Sequence, residues 1–167
     1  MPTVIANYDP SWPSLFRAEA DALASAVPAL RAVEHIGSTA VPGLSAAPTI
    51  DLLGAVDDPQ ALSPHPLEGM GYAEARAVDA REPGRRFFWR GTAAFPLYHL
   101  HVVQAGGSLW RRHLAFRDAL RADRALAERY THHRRALARQ FADDAEAYAE
   151  AKTAFVDAVL RATSPAA

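Results

Sequence analysis

The sequence contains no cysteine. Disulfides and thiolate metal sites are therefore excluded, and nothing marks an oxidising compartment. No apolar run approaches the roughly 18–20 residues that cross a bilayer. The N-terminus lacks a basic stretch followed by an apolar core, so no signal peptide is expected and a cytoplasmic protein is. Excess charge of one sign is missing too. With a formal net charge of −1, the chain has no bulk electrostatic drive toward nucleic acid or an anionic membrane. Lysine is almost absent: Lys152 is the one lysine, and the other basic residues are arginine. No Gly-x-x-x-x-Gly-Lys-Ser/Thr occurs, so a P-loop is not expected.

What is present is an ordinary globular balance, 167 residues with 50% apolar and 22% charged. That length is one domain by prior and enough for a core without staples. Helical spacing of Leu15, Phe16, Ala20, Leu23 and Val27 predicts a helix over 12–27, with Pro13 in its first turn and Pro28 closing it. Short strands are expected at 32–36 and 49–56, the second apolar enough to be central. A short helix or turn follows over 59–67, then a third strand from Gly69 to about Arg76 and a polar loop at 79–84. Strands at 85–90 and 97–103 are joined by a link over 91–96. After Gly106-Gly107 the pattern turns helical: Ser108 caps a helix to about Ala122, Asp123 a second and Asp143 a third, with a frayed tail from Thr163. The expectation is a single α+β domain, residues 1–167, with a small mixed sheet and helices in the core (1–106) and a helical C-terminal third (107–163).

Chemistry concentrates in Glu34-His35-Ile36-Gly37-Ser38-Thr39, followed by Thr49-Ile50-Asp51-Leu52-Leu53. A Gly-Ser turn between strand and helix start offers N–H groups and a hydroxyl to a phosphate, so Gly37, Ser38 and Thr39 are candidate phosphate or nucleotide binders. An ordinary capped turn explains the same residues. Asp51 opens the next strand, where a carboxylate can hold a divalent cation on that phosphate. It also reads as a buried Asp that hydrogen-bonds to the turn. His99 and His101 lie two apart on a strand and so share a face. With Asp51 and His35 they make a candidate imidazole–carboxylate site that suits a transition metal better than Mg²⁺. Structural hydrogen bonding to backbone or an acid–base role accounts for the same imidazoles. Arg85, Arg86 and Arg90, on or near the strand pair before His99, and Arg112 and Arg117, on the first C-terminal helix, offer guanidinium suited to phosphate; of these Arg86 and Arg112 are the candidate phosphate binders. Tyr148 and Lys152, one turn apart on the last helix, could stack on a base and neutralise phosphate, or pack as an aromatic with a snorkelling lysine. His132-His133 reads as exposed surface.

The strand–Gly-Ser–strand–Asp layout resembles the nucleotidyltransferase superfamily. Tyr8-Asp9-Pro10-Ser11-Trp12-Pro13, His35-Ile36-Gly37-Ser38-Thr39-Ala40-Val41-Pro42-Gly43-Leu44, His99-Leu100-His101-Val102-Val103, Arg112-His113-Leu114-Ala115-Phe116-Arg117-Asp118 and the segment Glu146 to Phe155 resemble the GrpB family, in order and across most of the chain. The resemblance implies a nucleotidyltransferase-like fold. It also implies a nucleotide or phosphate-bearing small molecule as partner, a divalent metal (Mg²⁺ or a transition metal) as cofactor, and in-line attack of an acceptor hydroxyl on phosphorus. Such enzymes generally carry two carboxylates two residues apart on this strand; here the second position is Leu53, which puts two-metal transfer in doubt. Two further expectations follow. One is a transition-metal-dependent hydrolase built on His35, Asp51, His99 and His101. The other is a non-catalytic module that binds a nucleotide or a coenzyme A-related ligand, motivated by the fusion of this family to dephospho-CoA kinase.

Overall fold

The computed structural model describes residues 5–76, 82–92 and 96–164. Parts of the expected polar loop at 79–84, of the link over 91–96 and of the C-terminal tail lie outside them. The elements run α1 (Trp12–Ala26), β1 (Ala32–Ile36), a 3-10 turn (Ser38–Ala40), β2 (Ile50–Val56), a 3-10 turn (Pro59–Ala61) and α2 (His65–Gly69). They continue with β3 (Ala73–Glu74), β4 (Arg86–Gly91), β5 (Pro96–Gln104), α3 (Ser108–Ala122), α4 (Arg124–Gln140) and α5 (Ala145–Thr163). The fold is α+β, and the chain gathers into two compact units, Met1–His113 and Leu114–Ala167.

The first unit holds one mixed sheet in the order β1-β2-β5-β4-β3. Only β2 and β5 run parallel; the other neighbours are antiparallel. The third strand, expected from Gly69, is two residues long because Gly69 ends α2 and Gly71 (φ 88°) turns the chain. Paired residues share a face, so the register sorts every side chain. Ile50, Leu52, Val56, Leu100, Val102 and Phe88 form one face, and Trp12, Leu23 and Val27 pack on it as a single core. The buried stripe of α1 is Trp12, Glu19 and Leu23, and Leu15, expected on it, is 43% exposed. Glu19 takes that place because it accepts Tyr72 Oη at 2.7 Å and Arg90 Nη2 at 2.5 Å, which makes burial of a carboxylate tolerable.

In the second unit, Asp123 caps α4 through Leu126 N (3.0 Å) and Asp144 caps α5 through Ala147 N (2.9 Å). The latter cap falls one residue after the expected Asp143. Tyr130 on α4 meets Phe116 edge-on and Phe155 of α5. His132 is exposed as expected, whereas His133 stacks on Phe155 at 4.7 Å, a contact across α4 and α5 that adjacent positions pointing about 100° apart permit.

Candidate functional site

The second face of the sheet carries Asp51 of β2 beside His99 and His101 of β5, in the register Asp51↔His99 and Leu53↔His101. His99 Nδ1 lies 3.2 Å from Asp51 Oδ1, and His101 Nε2 lies 3.6 Å from the same oxygen. The other carboxylate oxygen lies against Gly37. Gly37 has φ 74° and ψ −174°, a conformation essentially reserved for glycine, and a Cβ there would overlap Asp51 Oδ2. The turn and the carboxylate are therefore fitted to each other. β1 delivers the turn at that point because Ile36 pairs with Asp51.

Around this centre the structure adds residues that the sequence did not mark together. Phe87 of β4, opposite His101, sets its ring edgewise at 5.1 Å from His99 and 5.0 Å from His101. Arg85 places Nη1 3.4 Å from His101 Nδ1 and 2.9 Å from Glu82 Oε2. His113, in the part of α3 that belongs to the first unit, stands 5.7 Å ring to ring from His101, with Nε2 3.8 Å from Glu82 Oε2. Burial acts to raise the Asp51 carboxyl, but hydrogen bonding from His101 and His99 outweighs it and holds the group well below the usual carboxylate range. Burial pushes the His101 imidazole down to about 4 against the pull of Asp51, with His113 and Arg85 adding to the fall. Burial would also raise Glu82, yet His113, Arg85 and His101 bring it down to about 2. At neutral pH the centre is thus an ionised carboxylate facing ring N–H donors.

Other expected residues fall elsewhere. His35 pairs with Leu52 and so lies on the core face, stacked on Phe16 at 4.8 Å, with Nε2 2.9 Å from Thr39 Oγ1. It is not brought to Asp51, because a strand sends consecutive side chains to opposite faces. Thr39 is buried; its hydroxyl donates to Thr49 O at 3.3 Å and ties down the turn. Ser38 is buried in the same turn. Arg86 is also on the core face, opposite Val102: Nε donates to Glu74 Oε1 at 2.7 Å, and Nη1 to Pro59 O at 3.0 Å and Leu62 O at 2.6 Å. It is a buried strut between loop and sheet, and the guanidinium beside His101 is that of its neighbour Arg85. Arg112 precedes His113 on α3 and so points about 100° away from it round the helix. Tyr148 and Lys152 sit one turn apart on α5, both partly buried, in the second unit.

A divalent cation, implied by the resemblance, is tested by these residues. The second-carboxylate position is Leu53, fully buried. Among the described residues no group of three His, Asp or Glu side chains is arranged to hold a metal ion. A two-carboxylate Mg²⁺ site does not fit.

The sequence profile of the GrpB protein family matches residues 2–162. The chain belongs to the GrpB family. It is similar to a UPF0157 protein of Pseudomonas aeruginosa (42% identical over 160 residues, 91% of this chain and 64% of the relative). It is also similar to a UPF0157 protein of Halalkalibacterium halodurans (37% over 163 residues, 93% of this chain and 79% of the relative). The chain thus spans less than two thirds of the Pseudomonas relative's length. Among solved structures it resembles the conserved protein GrpB from Enterococcus faecalis, with a TM-score of 0.78 and 32% identity, covering 95% of this chain and 96% of that one. The GrpB fold is thus shared along nearly the whole chain. No helix among its described residues is long and apolar enough to cross a membrane.

Proposed function

We propose that this GrpB protein binds a nucleotide or another phosphate-bearing small molecule at the turn Gly37-Ser38, beside Asp51 and His99, as a nucleotidyltransferase-like protein. One observation carries the reading: Asp51 meets the Gly37 turn with one oxygen and His99 with the other. The phosphate-binding turn and the acid–base groups are thereby fitted as one unit. Backbone N–H groups of the turn would receive phosphate oxygens. Arg85 lies on the same face against His101, paired with Glu82. An imidazole oriented by a carboxylate is suited to take a proton from an acceptor hydroxyl as it attacks phosphorus. With Leu53 in place of a second carboxylate, the reading does not require rapid turnover.

The test is calorimetric titration of the purified protein with each nucleoside triphosphate, coenzyme A, pyrophosphate and inorganic phosphate. Micromolar binding that weakens about 10-fold or more in Gly37→Ala, a loss of about 1.4 kcal/mol at the turn itself, supports the reading. No binding of any of these ligands by folded wild-type protein sinks it. Release of pyrophosphate from a bound triphosphate would separate transfer from binding alone.

A further inference from the structure

His101 stands between two groups of fixed character. An ionised carboxylate only accepts, and a guanidinium only donates. Asp51 Oδ1 lies toward His101 Nε2 at 3.6 Å, and Arg85 Nη1 lies toward His101 Nδ1 at 3.4 Å. With Nε2 turned toward the carboxylate and Nδ1 toward the guanidinium, the ring meets both neighbours favourably with its proton on Nε2 and its lone pair on Nδ1. His99 faces the same Asp51 oxygen through the opposite nitrogen, Nδ1, at 3.2 Å. Its proton must therefore be on Nδ1, which leaves the lone pair on Nε2. Glu82 fixes this arrangement from behind, since it holds the same Arg85 Nη1 at 2.9 Å. Arg85 is 11% exposed and lies along Phe87, 5.8 Å from guanidinium carbon to ring centre, so it has little room to swing away.

We propose that Arg85, pinned by Glu82, is a positioning residue that fixes His101 as the Nε2–H tautomer, so that the imidazoles on Asp51 are held as opposite tautomers and His99 Nε2 is left to accept a proton from the bound ligand. The proposal deepens the reading of this face as the ligand site, but its primary readout needs no ligand. Two consequences follow. His101 is a spacer that passes the Arg85 position to Asp51, while His99 is the acid–base group. And a metal ion on His101 Nε2 would need the other tautomer, with Nδ1–H aimed at a guanidinium N–H. Arg85 thus opposes a metal ion on His101 through both hydrogen bonding and like charge.

The experiment is long-range proton–nitrogen NMR on uniformly ¹⁵N-labelled protein at neutral pH, with His99→Gln and His101→Gln used for assignment. Wild type is expected to show His99 protonated on Nδ1 and His101 on Nε2. Arg85→Leu should release His101 into a mixture of tautomers, Arg85→Lys should restore Nε2–H, and Glu82→Gln should give an intermediate population. In parallel, Zn²⁺ titration should show affinity about 10- to 100-fold higher in Arg85→Leu than in wild type, the usual scale for groups just behind metal ligands. The proposal is overturned if wild-type His101 carries its proton on Nδ1, or if Arg85→Leu leaves the tautomers as they are. Stoichiometric Zn²⁺ in wild type that is lost with His101→Ala also overturns it. The wild-type spectrum decides the matter even if Arg85→Leu does not fold. Failure of nucleotide binding, with the tautomers as expected, would count against the proposed ligand alone.

Discussion

The two faces of the sheet carry similar residues put to different uses. On the core face, Arg86 gives its N–H groups to Glu74 and two carbonyls, Arg90 and Tyr72 close on Glu19, and His35 closes on Thr39. Each group ends on a partner from another element, and Arg90 is further sandwiched by Tyr72 and Tyr98, 5.4 and 4.6 Å from the ring centres. On the other face, two imidazoles share one carboxylate oxygen, and Glu82 is shared by Arg85 and His113. Sharing leaves capacity over. His99 is 30% exposed on its side chain, and its second nitrogen is not used by Asp51. Saturated pairs build structure, whereas over-subscribed carboxylates create groups poised to exchange a proton with a ligand.

The largest effect that separates the faces is expected at Arg86. Arg86→Ala leaves Glu74 with only the more distant, exposed Arg76 and two carbonyls without their donor, and breaking a largely buried pair from one side costs about 3–5 kcal/mol. Denaturant unfolding should show that loss, while the molecules still folded keep the His99 and His101 tautomers of wild type. A change of tautomer in folded Arg86→Ala, or a stability loss below about 1 kcal/mol, would erase the distinction between the faces.

The same contrast explains what could be read from sequence. Asp51, His99 and His101 were legible because period two alone puts His99 and His101 on one face, and an apolar strand opening on Asp implied a central neighbour. His35 was not, because its face depends on register: Ile36, not His35, pairs with Asp51. A one-residue offset reverses every side chain of a strand. Arg86 rather than Arg85 stands among the expected phosphate binders for the same reason, since adjacent residues leave a strand on opposite sides. Had Phe87 been set opposite His101, Arg85 would have followed on that face. Glu82 had no local signal, as it arrives from a loop, and His113 lay in a family-like helical segment with nothing to place it beside His101. The short β3 was hidden by α2, whose end at Gly69 and turn at Gly71 overlap the apolar stretch that suggested a strand.

A smaller effect is expected at the turn. Gly37→Ala forces an L side chain into φ 74°, ψ −174°, at about 1–3 kcal/mol, and pushes its methyl into Asp51 Oδ2. The carboxylate must then shift away from His99. Stability should fall modestly, and the His99 resonances should move toward those of Asp51→Asn. Gly43 makes a matched control: it too has positive φ, but a Cβ there meets nothing within 4 Å. Gly43→Ala should cost stability through strain alone and leave His99 unchanged. If both variants perturb His99 equally, the turn and the carboxylate do not act as a unit.

The smallest effect distinguishes groups within the second face by pH. His101 is depressed from 6.5 to about 4, so the unfolded chain takes up a proton that the folded one refuses. That imidazole withdraws stability as pH falls from about 6.5 toward 4, and below about 4 its loss is complete. Glu82 is depressed from 4.5 to about 2, so its contribution is present above 4.5 and is lost as pH falls from there toward 2. Unfolding free energy should therefore decline in two stages. Glu82→Gln should flatten the lower stage, and His101→Gln the upper one. The core face offers a reference: Glu74 is also depressed, chiefly by its bond to Arg86, so its loss falls in the acid stage, below the interval in which His101 acts. A stability profile flat from pH 7 to 4.5 would mean that His101 is not held neutral between Asp51 and Arg85, and the difference between the faces would shrink to one of exposure.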